Sequence, residues 1–263
     1  MSSVTLSTLI ARREANTPFS CLAVYDATFA RAASEAGVEV LLIGDSLGMV
    51  LQGQCSTLPV TVDDILYHTA CVVRANPRSL IMADLPFMAD SSLERTLEAG
   101  GRIMQAGAHM VKLEGGTWRC DAVAAFTQRG VPVCAHLGLT PQHVNAFGGY
   151  RVQGRDPDAA QQIIDDALAL EQAGAAIVLL ECVPNHLAQQ VRDALTVPVI
   201  GIGAGPDVDG QILVMHDMLG LSGDKAPRFV KDFLKGEESI LEAFAAYHEA
   251  VVERAFPDEE HCF

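Results

Sequence analysis

Residues 80–114 read LIMADLPFMADSSLERTLEAGGRIMQAGAHMVKLE, and this stretch decides the fold. It opens on one near-continuous apolar run, Leu80-Ile81-Met82-Ala83-Asp84, and closes on another, Met110-Val111-Lys112-Leu113-Glu114. Between them, Ser91-Ser92-Leu93-Glu94 offers a capping box, and Leu93, Leu97 and Met104 recur at helical spacing. Gly107 stands where a helix ends before the next strand. The pattern is strand, helix, strand, and runs this apolar belong to a parallel sheet covered on both faces.

The same unit recurs on either side. Apolar runs at 21–26, 39–45, 131–136, 176–181, 197–203 and 212–217 bring the strands to eight. Asp156-Pro157 starts a helix whose apolar side is Ala160, Ile163, Ile164, Ala167 and Leu168. Gly37, Gly130 and Gly174 repeat the helix-ending role of Gly107. Alternation at this length predicts one (β/α)8 TIM barrel domain over residues 1–263, with additional terminal helices. The first helix centres on Leu6 and Ile10; the last covers 240–256, with Leu241, Phe244, Ala245, His248 and Val251/Val252 on one side, beneath the barrel or against another subunit. An open doubly wound sheet is the alternative, because strand order is not written in the pattern. Two long segments, 46–60 and 137–156, follow strands and therefore fall on the catalytic face.

Asp and Glu number 33 against 18 Lys and Arg, a net charge of −15, which speaks against nucleic acid or an anionic membrane surface as partner. Apolar residues at 49% and charged ones at 19% exclude a disordered chain. Seven cysteines without a CxxC pair point to free thiols and a cytoplasmic location. No run reaches the ~18 apolar residues of a membrane span, and the first residues lack a signal-peptide pattern.

What ends each strand carries the chemistry. Asp45, Asp84, Glu114 and Glu181 close apolar runs, and His136 closes another. A lone Asp there most often caps a helix, but four carboxylates on the catalytic face repel one another unless something compensates. Strand alternation sends Lys112 and Glu114 to the same side, so one cation is at hand. A divalent cation is the economical complement. With oxygen donors only, no HExxH and no cysteine pair, it is Mg2+ or Mn2+ rather than zinc or copper. A chelating 2-oxo acid suits such a seat. The glycine-rich Gly201-Ile202-Gly203-Ala204-Gly205 reads equally as a phosphate loop or as tight packing. His136 and His216 remain open between core and site; His68 and His109 read as structural, Cys134 and Cys182 as buried fillers, and Trp118 as packing.

Several blocks resemble the ketopantoate hydroxymethyltransferase (3-methyl-2-oxobutanoate hydroxymethyltransferase) family. They include Leu42-Ile43-Gly44-Asp45-Ser46-Leu47-Gly48-Met49, Ala83-Asp84-Leu85-Pro86-Phe87-Met88 and Val111-Lys112-Leu113-Glu114-Gly115-Gly116. They continue through His136-Leu137-Gly138-Leu139-Thr140-Pro141-Gln142, Leu180-Glu181-Cys182-Val183-Pro184 and Gly210-Gln211-Ile212-Leu213-Val214-Met215-His216-Asp217. The resemblance implies a barrel of the phosphoenolpyruvate-binding group. It also implies Mg2+-dependent transfer of a hydroxymethyl group from 5,10-methylenetetrahydrofolate to 3-methyl-2-oxobutanoate, giving 2-dehydropantoate for pantothenate and coenzyme A, by a homo-oligomer, a decamer. By the same resemblance, Asp45 and Asp84 are direct metal ligands and Glu114 is the third metal-site carboxylate. Asp45, Ser46, Asp84 and Lys112 are the substrate-binding residues, with Ser46 and Lys112 on the substrate carboxylate, and Glu181 is the catalytic base, which burial would strengthen. The alternative is a folate-independent 2-oxo-acid lyase or mutase of the same barrel group.

Overall fold

The computed structural model describes residues 3–222 and 226–263. Eight parallel strands close into a barrel in sequence order: β1 (Phe19–Ala23), β2 (Val40–Ile43), β3 (Leu80–Asp84), β4 (Met110–Glu114), β5 (Val133–Gly138), β6 (Ile177–Glu181), β7 (Val199–Ile202) and β8 (Gly210–Val214). β8 pairs back onto β1, with Cys21 opposite Ile212, so no edge is left open. Closure rules out the doubly wound sheet. Nearly every strand residue is buried, because the interior takes one set of side chains and the helix ring covers the other.

The helices are α1 (Leu6–Glu14), α2 (Ala27–Glu35), α3 (Leu47–Val50), α4 (Val62–Arg74), α5 (Leu93–Gln105), α6 (Cys120–Thr127), α7 (Val144–Phe147), α8 (Pro157–Gln172), α9 (Asn185–Ala194), α10 (Met215–Met218) and α11 (Ile240–Val252). α8 starts as read: the Asp156 side chain accepts from the Asp158 and Ala159 amides, and Pro157 fills the first turn. Gly37, Gly107, Gly130 and Gly174 all take positive φ at helix ends.

Several expectations need correction. α5 does not bury Leu93, which is 48% exposed. Its inner face is Thr96, Ala99, Gly100 and Ile103. Small residues win there because α5 lies close to α6: a Cβ on Gly100 would stand 2.3 Å from the Phe126 ring. Its cap is Ser92 alone, since Arg95, not an acid, occupies the third helical position. In α1 the buried residue is Leu9, not Ile10. The 212–217 run splits into the end of β8 and α10, so His216 and Asp217 sit on a helical turn. A short apolar run fits either element.

α11 packs on the barrel's flank rather than beneath it. Its buried Tyr247 hydroxyl lies 2.9 Å from the carbonyl oxygens of Cys21 on β1 and Gln211 on β8. The lower end is closed instead by α1. Arg13 pairs there with Asp209, just ahead of β8, and Arg12 bridges to Glu39, just ahead of β2, at 2.5 Å.

Candidate active site

The C-terminal strand ends surround a cavity of about 1270 Å³. Asp45 stands two residues beyond β2, Asp84 ends β3, Lys112 and Glu114 face inward from β4, His136 projects from β5, and Glu181 ends β6. Strand register sets the neighbours: Asp84 is opposite Lys112, and Glu114 is opposite His136. Every site residue named from the sequence lines this one cavity, Ser46 included. Both long loops contribute walls, through Met49 and Thr57 from one and Leu139, Pro141 and Tyr150 from the other.

Contacts run continuously across the floor. Lys112 Nζ donates to Asp84 Oδ1 at 2.5 Å. The Asp45 amide donates to Asp84 Oδ2 at 3.0 Å. Gln142 Nε2 donates to Asp45 Oδ2 at 2.9 Å, and the Gln142 amide to Glu114 Oε2 at 3.0 Å. His136 then lies between two carboxylates, its Nδ1 3.5 Å from Glu114 Oε1 and its Nε2 3.3 Å from Glu181 Oε2. Neither ring nitrogen makes an aligned hydrogen bond, so these contacts are charge attraction.

The electrostatics follow from burial and proximity. Burial, with Asp84 and Glu114 close by, pushes the Asp45 carboxyl well above its ordinary value. Burial also raises Asp84, against the pull of Lys112. Glu114 is held below its ordinary value: burial opposes this, but His136, Lys112 and the Gln142 amide prevail. Burial and Lys112 press His136 downward, yet the flanking Glu114 and Glu181 carry it up to about 9. Lys112 is also raised, since three carboxylates outweigh its burial. Four acidic side chains thus share the cavity with Lys112 and the His136 imidazole.

Glu181 differs from expectation in burial. It is the most open of the four acids, only partly buried where the other three are fully buried. Its position is set by close packing: Gly138 takes φ +86°, and a Cβ there would lie 2.3 Å from the Glu181 carbonyl oxygen. The next residue, Cys182, holds φ +48° without being glycine, a strained geometry that turns the chain sharply after the acid.

Of the residues left open, His136 belongs to the site, and His216 lines the same cavity with no hydrogen-bond partner for its Nδ1 among the described residues. His68 and His109 are structural, engaged by the Tyr25 carbonyl and the Ile81 amide. Cys134 is fully buried; Cys182 is buried yet borders the cavity. Trp118 is 64% exposed, so it is not core packing. The 201–205 glycines are packed against Val208, Phe229 and Asn185, as the packing reading requires. Two uncharged residues were not singled out from the sequence: Gln142, and the buried Tyr25, whose hydroxyl lies 2.8 Å from Ser46 Oγ. Their only signal was position, in a loop after β5 and at the end of an apolar run.

Among the described residues, no three His, Cys, Asp or Glu side chains converge as a ready-made metal cage, and no helix is long and apolar enough to cross a membrane.

A sequence model of the family described as Ketopantoate hydroxymethyltransferase matches residues 3–259. A protein of Chromohalobacter salexigens named 3-methyl-2-oxobutanoate hydroxymethyltransferase is 62% identical over 263 residues, covering 100% of both chains. Among solved structures, a phosphonopyruvate hydrolase superposes with TM-score 0.64 at 16% identity, over 84% of this chain and 83% of that one. A 2,3-dimethylmalate lyase, described as a PEP mutase/isocitrate lyase superfamily member, gives 0.61 at 17% identity, over 95% and 94%. At those identities the two structures share the fold alone.

Proposed function

The chain belongs to the ketopantoate hydroxymethyltransferase family, and from that premise we propose that it transfers a hydroxymethyl group from 5,10-methylenetetrahydrofolate to 3-methyl-2-oxobutanoate, giving 2-dehydropantoate. The observation that carries the reading is the convergence of Asp45, Ser46, Asp84, Lys112, Glu114 and Glu181 on one cavity at the strand ends of such a chain. At about 1270 Å³ the cavity is ample for a five-carbon acid beside a reduced pterin.

The residues fit Mg2+. Among the described residues carboxylates outnumber cations here and Glu114 Oε1 has no hydrogen-bond partner, and burial among its neighbours raises Asp45. Asp45 and Asp84 would hold the ion, with Glu114 completing the seat directly or through water; so few protein ligands leave room for solvent and substrate, as Mg2+ prefers. The bound ion supplies Lewis-acid polarisation of the ketone oxygen.

The remaining work falls to the chain itself. Lys112 and Ser46 bind the substrate carboxylate, the first by charge and the second through its hydroxyl, which Tyr25 orients. Glu181 removes the proton at C3, leaving an enolate; its attack on the one-carbon unit goes with cleavage of that unit's bonds to the folate nitrogens, and water supplies the hydroxyl oxygen as tetrahydrofolate leaves. His136 holds the Glu181 carboxylate by charge. The loop bearing Leu139, Pro141 and Tyr150 forms one wall of the cavity in which the two substrates meet. The family also supports a homo-oligomer, a decamer, and the seven free cysteines support a reducing cytoplasm.

Deuterium exchange at C3 of 3-methyl-2-oxobutanoate in D₂O with Mg2+ tests the base. Exchange should proceed in the wild type and fall by at least ~100-fold in Glu181→Gln; undiminished exchange in that variant removes Glu181 from the role. Hydroxymethyl-free turnover without any reduced folate would move the reading to a lyase or mutase.

A further inference from the structure

Gln142 touches the ends of three strands at once. Its Nε2 donates to Asp45 Oδ2 at 2.9 Å, beyond β2, and to the Leu85 carbonyl oxygen at 3.0 Å, the residue after Asp84 on β3. Its backbone amide donates to Glu114 Oε2 on β4 at 3.0 Å. The residue is 6% exposed and sits on a single 3-10 turn, Pro141–His143, in the loop after β5. Both side-chain protons face acceptors, so the amide has one possible orientation: flipped, its Oε1 would oppose a carboxylate oxygen and a carbonyl.

This arrangement meets a specific need. Asp45, Asp84 and Glu114 repel one another, and among the described residues the only formal cation against Asp84 is Lys112, whose proposed role is to bind the substrate carboxylate. A second lysine would compensate the charge but would also compete with a metal ion. A neutral amide steadies carboxylate oxygens without cancelling their charge, as outer partners of metal ligands do. We propose that Gln142 is a positioning residue for the Mg2+ seat, holding Asp45 through its side chain and Glu114 through its main chain, and thereby tying the loop after β5 to the metal carboxylates. The proposal rests on the reading that those carboxylates hold the ion.

The test uses the full-length protein stripped of metal, with Mn2+ as the probe, and binding read by electron paramagnetic resonance or calorimetry rather than by activity. Gln142→Met keeps the length and the backbone amide but removes both side-chain donors. Its Mn2+ dissociation constant should rise by roughly 10- to 100-fold, with its circular dichroism unchanged. Gln142→Asn, which keeps an amide but withdraws it by about 1.5 Å, should weaken Mn2+ in the same direction, and it carries the test if the Met variant does not fold. Wild-type Mn2+ affinity in either folded variant overturns the proposal, including when thermal stability falls, since that outcome is a structural role alone. Failure of the wild type itself to bind Mn2+ overturns the metal seat, and the Gln142 role with it, and so is told apart from failure of Gln142 alone.

Discussion

Tyr25 reaches the substrate side of the cavity through one hydroxyl. Its ring is fully buried, its oxygen lies 2.8 Å from Ser46 Oγ, and burial raises its own pKa, so it stays a neutral hydrogen-bonding partner of that hydroxyl. Tyr25→Phe removes that contact while keeping the ring. One neutral hydrogen bond is worth about 1 kcal/mol, so KM for 3-methyl-2-oxobutanoate should rise roughly fivefold with kcat little changed. Steady-state kinetics with the keto acid varied is the measurement, and an unaltered KM means Ser46 needs no such orientation. At this scale the charged residues were legible: an acid or base closing an apolar run is conspicuous. Tyr25 and Gln142 were not, because an uncharged side chain reveals its task only through the neighbour it meets.

Within elements, two adjacent glycines of α5 separate intrinsic helix preference from packing. Gly101 has nothing within 4 Å of where a Cβ would stand, so Gly101→Ala should stabilise by about 0.5–1 kcal/mol through the unfolded chain. Gly100 would place its Cβ 2.3 Å from the Phe126 ring. Gly100→Ala should therefore destabilise by roughly 1–3 kcal/mol, the cost of overpacking. Equilibrium denaturant unfolding of the two variants reads both signs; equal shifts would mean that the α5–α6 contact adjusts freely. The same contact explains why the Leu93, Leu97, Met104 stripe was only partly right: Leu97 and Met104 pack against the core, but Leu93 is exposed and small residues take the innermost positions. Period alone favours the largest apolar residues, whereas close helix approach selects the smallest. Strand interiors and helix stops were readable because burial on both faces and a left-handed turn each restrict composition. The β8–α10 boundary was not, since the run continues apolar through the bend.

For the whole molecule, the decisive quantity is the excess of buried negative charge at one end of the barrel. A cation bound there should stabilise the fold. At a hundred times its dissociation constant the gain is about 2.7 kcal/mol, which for a chain of this size raises Tm by roughly 5–10 °C. Calorimetric scans with and without Mg2+ measure it, and Asp84→Asn should abolish the response. Metal-free Asp45→Asn should be no less stable than the metal-free wild type, because it removes one of the mutually repelling acids while leaving an acceptor for Gln142. A large loss there would mean that Asp45 stabilises the empty barrel. By itself, the sequence determined the strand–helix alternation, the acids at the strand ends and the family blocks, because each depends on residue type and spacing within a few tens of positions. Only the tertiary structure decided that the sheet closes, that α11 packs against β1 and β8, and that Gln142 meets Asp45 across 97 positions of chain. Those outcomes depend on which distant surfaces come together, and nothing in a residue's local pattern specifies its partner.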